Sequence, residues 1–153
     1  MLYKLIRSSD RESLESSVIS LTSGGVIADR IRALGVRVDS LNMRRGFPNP
    51  WAFIRLLLLL RRERPQVLQT WLYHSDLLGL LAGKLAGVPT VAWNIRCSTT
   101  DERYFTGMTG RVVRLLARLS GRPDAVVVNS EAGRTVHEAM GYRPRRWEVI
   151  PNG

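Results

Sequence analysis

An α/β fold, a parallel sheet covered by helices on both faces, is predicted by three observations. Strand-type and helix-type segments alternate from Val18 to Ile150. The strands are short and mostly apolar, as expected of strands buried inside a helix-covered sheet. Gly, Pro, Asn and Ser stand at the junctions as start and stop signals. With 153 residues the chain is long enough for one compact domain with a sizeable core. Right-handed crossovers should join its strands.

Each element has a local reason. Leu2–Ile6 reads as a helix. Val18–Leu21 is a short apolar strand closed by Thr22-Ser23-Gly24-Gly25. Ala28–Leu34 has helical spacing and stops at Gly35, a residue suited to the left-handed position after a helix. Residues 36–41 alternate in part and read as a strand. Asn49 caps and Pro50 opens a helix running to about Arg64, where Pro65 prevents continuation. Val67–Thr70 is the next strand, and Ser75 is positioned to cap a helix through Ala86, with Gly87 and Pro89 as stops. Thr90–Trp93 is a strand, and the polar residues 95–107 form a long loop. Met108–Leu119 repeats apolar residues at helical spacing and ends at Gly121. Ala125–Val128 is a buried-type strand, Ser130 caps the helix Glu131–Met140, and Trp147–Ile150 is the last strand. No internal repeat or low-complexity linker interrupts the series.

Composition excludes some classes. Apolar residues at 44% and charged residues at 24% match ordinary globular usage, which argues against a disordered chain. The single cysteine, Cys97, precludes an intrachain disulfide and fits a reducing compartment. The N-terminus lacks a signal peptide's apolar core and cleavage site, and the longest apolar run, Leu56–Leu60, is far below the roughly 20 residues that span a bilayer. A cytoplasmic protein is expected, either free or peripheral on the inner face of the membrane. No phosphate-binding loop, dinucleotide fingerprint, zinc-spaced Cys/His cluster or serine-hydrolase elbow is present. No metal site is therefore expected.

The net charge is +10, concentrated in residues 44–64 and 111–146, which carry +5 each. Such a surface attracts nucleic acid, anionic lipid or phosphorylated substrates. Arginine supplies 21 of the 23 basic residues, so the usage of a GC-rich genome is an equally good account. Trp51, Phe53, Ile54 and Leu56–Leu60 make the helix after Asn49 apolar over most of its circumference, with Arg55, Arg61 and Arg62 punctuating it. One reading lays it on an anionic membrane, with Trp51, Arg55, Arg61 and Arg62 as contacts. The other makes it a core helix with a solvated arginine face.

The chemistry-bearing residues gather where strands end. Ligands of open α/β sheets bind beyond the carboxyl ends of the strands. Gln69-Thr70-Trp71-Leu72-Tyr73-His74-Ser75-Asp76 sits between one strand and a helix start, and Trp93-Asn94-Ile95-Arg96 follows one strand later. His74 could donate to a sugar hydroxyl or a phosphate, or act as acid or base; a structural histidine is the competing reading. Trp71 and Tyr73 alternate on one side of an extended segment and could stack on sugar faces, or fill the core. Asp76 could bind substrate, although the helix dipole alone accounts for a carboxylate there. Asn94 and Arg96 follow the next strand, and Arg96 suits phosphate or carboxylate recognition, with an ion pair to Asp101 or Glu102 as the alternative. Asn129-Ser130-Glu131 repeats the strand-to-helix arrangement, where free N–H groups could hold an anion or Ser130 could merely cap.

In order, Gln-Thr-Trp-x-Tyr-His-Ser-Asp at 69–76, Leu-Ala-Gly-Val-Pro at 85–89, Trp-Asn-Ile-Arg at 93–96, Val-Val-Asn-Ser at 127–130 and Ile-Pro-Asn-Gly at 150–153 resemble the N-terminal half of family-4-type glycosyltransferases. These have two facing Rossmann-like domains, the GT-B arrangement, and bacterial members often build exopolysaccharide, lipopolysaccharide or glycolipids for the cell envelope. The resemblance implies retaining transfer of a sugar from a nucleotide-sugar donor to a glycan or lipid-linked acceptor, with no cofactor and usually no metal. It implies that this half holds the acceptor, with His74 near the transferred sugar and Asn94, Arg96 and residues 129–131 on the acceptor side. Family members usually open with a strand and a Gly-rich loop ahead of the first helix, and cross to the donor domain near the position of Pro151-Asn152-Gly153. The first strand and the donor domain are thus expected to be missing, and the 153-residue chain alone to be inactive.

Two other readings remain at this level. One is a basic Rossmann-like binding module for anionic membrane or nucleic acid without enzymatic activity, nucleic acid being the less favoured partner. The other is half of a non-hydrolysing nucleotide-sugar epimerase.

Overall fold

The computed structural model of the chain describes residues 1–10, 12–44, 49–96 and 107–151. They divide into two compact units, residues 1–55 and 56–153. Among the described residues every strand pairing is parallel and helices alternate with strands, giving an α/β, Rossmann-like architecture. Among the described residues the strands form two sheets, one of two strands and one of four.

In the first unit, β1 (Ser17–Ser20) pairs with β2 (Arg37–Ser40), Val18 opposite Val38. α1 (Leu2–Ser8) and α2 (Gly25–Arg32) accompany them. Ile6, Ile31 and Val36 form the core, with Leu2, Tyr3, Val18, Leu34 and Val38 packed around it. α2 begins three residues earlier than the spacing predicts. Gly24 and Gly25 both adopt positive φ (85° and 59°), a conformation glycine takes at no steric cost, so the turn tightens into the helix at once. Gly35 (φ 78°) ends the segment as expected.

α3 (Pro50–Glu63) runs across the division between the units. Asn49 Oδ1 accepts from the N–H groups of Trp51 and Ala52 at 3.1 and 3.3 Å, the cap expected from Asn-Pro.

The second unit is built on the sheet β3-β4-β5-β6, with β3 at Val67–Trp71, β4 at Thr90–Ile95, β5 at Ala125–Val128 and β6 at Trp147–Val149. Register sets Thr70 opposite Trp93 and Trp93 opposite Val126. Val91, Trp93, Ile95, Val126 and Val128 therefore share one face, since side chains alternate along a strand. Against that face lie Leu80 from α4 (Tyr73–Ala86) and Val112, Val113 and Leu116 from α5 (Gly107–Leu119). Tyr142, which follows α6 (Glu131–Ala139), completes the cluster. These buried side chains are the main apolar driving force of the unit.

α4 approaches β3 and β4 closely because small residues face the strands. An added Cβ at Gly83 would meet Leu68 and Val91 at 3.0 and 3.1 Å, and one at Gly79 would meet Thr70 at 2.2 Å. The helix ends at Gly87 (φ 76°), as predicted, and the Val88 N–H returns to the Gly83 carbonyl at 2.9 Å. Ser130 Oγ accepts from Gly133 N–H at 3.1 Å and caps α6, also as predicted.

Two further boundaries differ. α4 starts at Tyr73, so Ser75 is not its cap but lies within the first turn. β4 extends through Ile95, so Asn94 belongs to the strand. The loop expected at 95–107 is reduced by these strand and helix ends, and its residues 97–106, including Cys97, Asp101 and Glu102, lie outside the described residues.

Candidate functional site

The carboxyl ends of β3, β4 and β5 carry most of the residues singled out in the sequence. The sheet divides them by side-chain parity. Trp71 pairs in register with Asn94, and Asn94 with Val127. Trp71, Asn94 and, two residues on, Arg96 thus point away from the helix-covered face, and Asn129 continues the same line beyond β5. The Arg96 guanidinium sits 4.8 Å from the centroid of the Trp71 ring, a cation–π contact. Partial burial pulls its pKa down, but a guanidinium stays charged. Asn94 is only 2% exposed. Its Oδ1 and that of Asn129 are buried acceptors with no hydrogen-bond partner among the described residues. Buried polar atoms are nearly always paired, so two orphaned amide oxygens at adjacent strand ends mark a place prepared for a donor. Among the described residues, no three His, Cys, Asp or Glu side chains come together as a metal site would require.

The opposite side of the same strand ends is a closed polar network. Asp76, in the first turn of α4, has no exposed surface. Thr70 donates to its Oδ1 at 2.5 Å, while Oδ2 has no partner among the described residues. Burial pushes the carboxyl up to about 8, against the smaller opposing effects of Thr70 and the Asn94 backbone. Asp76 is therefore protonated at neutral pH. Beside it, His137 is fully buried and held neutral by burial. Its Nδ1–H donates to the Gly133 carbonyl at 2.7 Å, which leaves Nε2 to accept from the Tyr73 hydroxyl at 2.9 Å. Tyr142 meets the His137 ring edge-on at 5.1 Å. Its buried hydroxyl is pushed well above the usual range by burial, with Tyr73 and Asp76 adding to the effect.

The predicted site residues therefore separate. Trp71 and Tyr73 do not form one stacking surface, because the chain turns between them. Trp71 pairs with Arg96, whereas Tyr73 enters the core. His74 is exposed in the first turn of α4, three residues after Trp71. Glu131 projects into solvent, 3.9 Å from Arg134, and Ser130 is engaged in capping. The sequence reading missed Thr70, His137 and Tyr142. Only Gly79, three residues after Asp76, hinted that α4 would press against Thr70.

Leu72 joins the two sides and is strained. Its φ of 75° and ψ of 152° fall where essentially only glycine is at ease, yet its side chain is 62% exposed and buries little. Leu72→Gly should stabilise the chain by about 1 kcal/mol, the relieved strain exceeding the added chain entropy. Urea melts read this directly, and a loss of stability would contradict the strain.

The sequence model of one protein family, described as Glycosyltransferase Family 4, matches residues 1–153. No curated protein matches the chain. The family match covers its whole length and agrees with the parallel α/β architecture. This chain belongs to glycosyltransferase family 4.

Proposed function

We propose that this chain is the acceptor-side domain of a retaining glycosyltransferase that moves a sugar from a nucleotide-sugar to a glycan or lipid-linked acceptor. The observation that carries the reading is the line Trp71, Asn94, Arg96 and Asn129 at three adjacent strand ends, with exposed His74 three residues after Trp71 in sequence. The exposed face of the Trp71–Arg96 pair suits a sugar ring, apolar on one side and rich in hydroxyls at its rim. The unpartnered oxygens of Asn94 and Asn129 suit hydroxyl donors. His74, exposed in the first turn of α4, contacts the sugar under transfer by donating to one of its hydroxyls or to a phosphate oxygen, and is the residue nearest the chemistry. Tyr73 and Asp76 act from behind by fixing the first turn of α4, and Ser130 does the same for α6. Glu131 stands at the rim as an outer acceptor contact. No resident cofactor or metal is needed for this role, and the reaction belongs to polysaccharide or glycolipid assembly on the cytoplasmic side of a bacterial envelope.

Saturation-transfer NMR on the purified chain tests the assignment, using free and lipid-linked mono- and disaccharides beside nucleotide-sugars. Saccharide signal is expected without nucleotide-sugar signal. Arg96→Ala should abolish it, and His74→Ala should weaken it about tenfold, the loss of one charge-assisted or neutral hydrogen bond. Nucleotide-sugar signal alone, or silence from a sample with a folded circular-dichroism spectrum, would sink the acceptor reading.

A further inference from the structure

We propose that α3 docks the protein on an anionic bilayer, with Trp51, Ile54 and Leu58 at the acyl boundary and Arg55, Arg61 and Arg62 against lipid phosphates. The inference does not depend on sugar transfer.

α3 has two unlike sides. Ala52, Leu56 and Leu60 are 3–5% exposed and follow one another at four-residue spacing, so one stripe faces the protein interior. Trp51 is 78% exposed, Leu58 58% and Ile54 43%. At about 100° per residue these three fall within about 60° of one another, on the side turned away from the buried stripe. Among the described residues Trp51 is the most exposed of the large hydrophobic side chains. Leaving three such side chains in water on one helix face is costly unless something covers them.

The charges indicate what covers them. Arg55, Arg61 and Arg62 are exposed, and on the same wheel they lie on both flanks of the apolar face. The one acid of the helix, Glu63, is off that face and contacts Arg62 Nε at 3.3 Å. The face carries three arginines and no acid beside its apolar strip, which calls for a partner both anionic and apolar. It is well suited to a bilayer surface, where arginine stems run along the apolar face while their heads reach the phosphates, and where tryptophan settles at the level of the headgroups. α3 is too short to cross: among the described residues no helix is long and apolar enough to span a membrane. Lying flat is the one membrane disposition open to it.

The test is co-flotation of the full 153-residue chain with phosphatidylcholine vesicles, with and without a third of phosphatidylglycerol. Binding is expected to the anionic vesicles only and to weaken as salt rises. Arg55→Gln, Arg61→Gln and Arg62→Gln together should reduce it about a hundredfold, roughly fivefold per arginine. Trp51→Ser with Leu58→Ser tests the apolar part. Both residues are exposed, so the fold should persist, and binding should fall at least tenfold at low salt, where charge alone persists. Equal binding to neutral vesicles, binding unaffected by either set of substitutions, absence of binding, or preference for duplex RNA over vesicles would each overturn the proposal.

Discussion

Replacing Asp76 by asparagine raises the stability of the folded chain at pH 8 and changes it little at pH 4. The carboxyl is fully buried, accepts from Thr70, and titrates near 8 instead of 3.8. Its folded pKa is raised, so its contribution is greatest below the unfolded pKa and declines as pH rises. Between about 4 and 8 the unfolded chain has released this proton while the folded chain still holds it, and stability falls by about 1.4 kcal/mol per unit. Above about 8 both states are ionised and the slope vanishes. Asparagine has the shape of the protonated acid, keeps an oxygen for Thr70 and does not titrate. The difference between variant and native chain should therefore grow across the window and level off, reaching on the order of 4–6 kcal/mol. That is comparable to the whole stability of a domain, so the native chain is expected to weaken markedly toward alkaline pH. Urea denaturation of both chains at several pH values decides the matter. A difference independent of pH would show that Asp76 is ionised in the fold.

A carboxylic acid kept at this cost belongs where its position matters. Asp76 joins the first turn of α4 to β3 through Thr70, while Tyr73 joins the same turn to α6 through His137. His74 lies between these two anchors in sequence. An exposed side chain on a free helix end would sample many orientations; one flanked by two buried hydrogen bonds keeps its backbone fixed. The closed network thus bears on function through the placement of His74.

How much of this was legible depended on the range of the physics involved. Asn49 and Ser130 were readable as caps because a cap is settled within three residues, and both side chains make the expected bonds. Gly87 was readable for the same reason. The α4 boundary was not. The chain turns at Leu72, in a conformation the sequence rules reserve for glycine, so the nearest good capping residue, Ser75, was the natural but mistaken choice. Asp76 looked like a first-turn carboxylate favoured by the dipole, and its burial became visible only with α4 lying against β3. Tyr73 and His137 are 64 residues apart, and no local pattern joins them. Parity along the strands was implicit in the sequence, yet which parity faced the helices was not, so Trp71 and Tyr73 could not be assigned to opposite surroundings beforehand. Division of the strands into two sheets is likewise a matter of long-range pairing.

Gly79→Ala should cost about 2–4 kcal/mol, although alanine is the better helix former by about 1 kcal/mol. The new methyl would stand 2.2 Å from Thr70 Cγ2, far inside van der Waals contact, in a helix face that also carries Gly83 against Leu68 and Val91. Two responses are open to the fold. Thr70 can rotate, which moves Oγ1 off Asp76 and leaves a buried carboxyl with neither oxygen paired. Otherwise α4 can lift from β3, which opens the packing around Leu80 and Val91. Either way the site is loosened from behind, so saccharide binding should weaken along with stability. Thr70→Ser separates this mechanism from a general intolerance of alanine. Serine keeps the hydroxyl for Asp76 and deletes the offending methyl, at a cost on its own of about 1 kcal/mol. In the Gly79→Ala background the same change should restore 1–3 kcal/mol, so the two substitutions couple strongly in a double-mutant cycle. If their effects simply add, the clash at Thr70 is not what holds α4 in place.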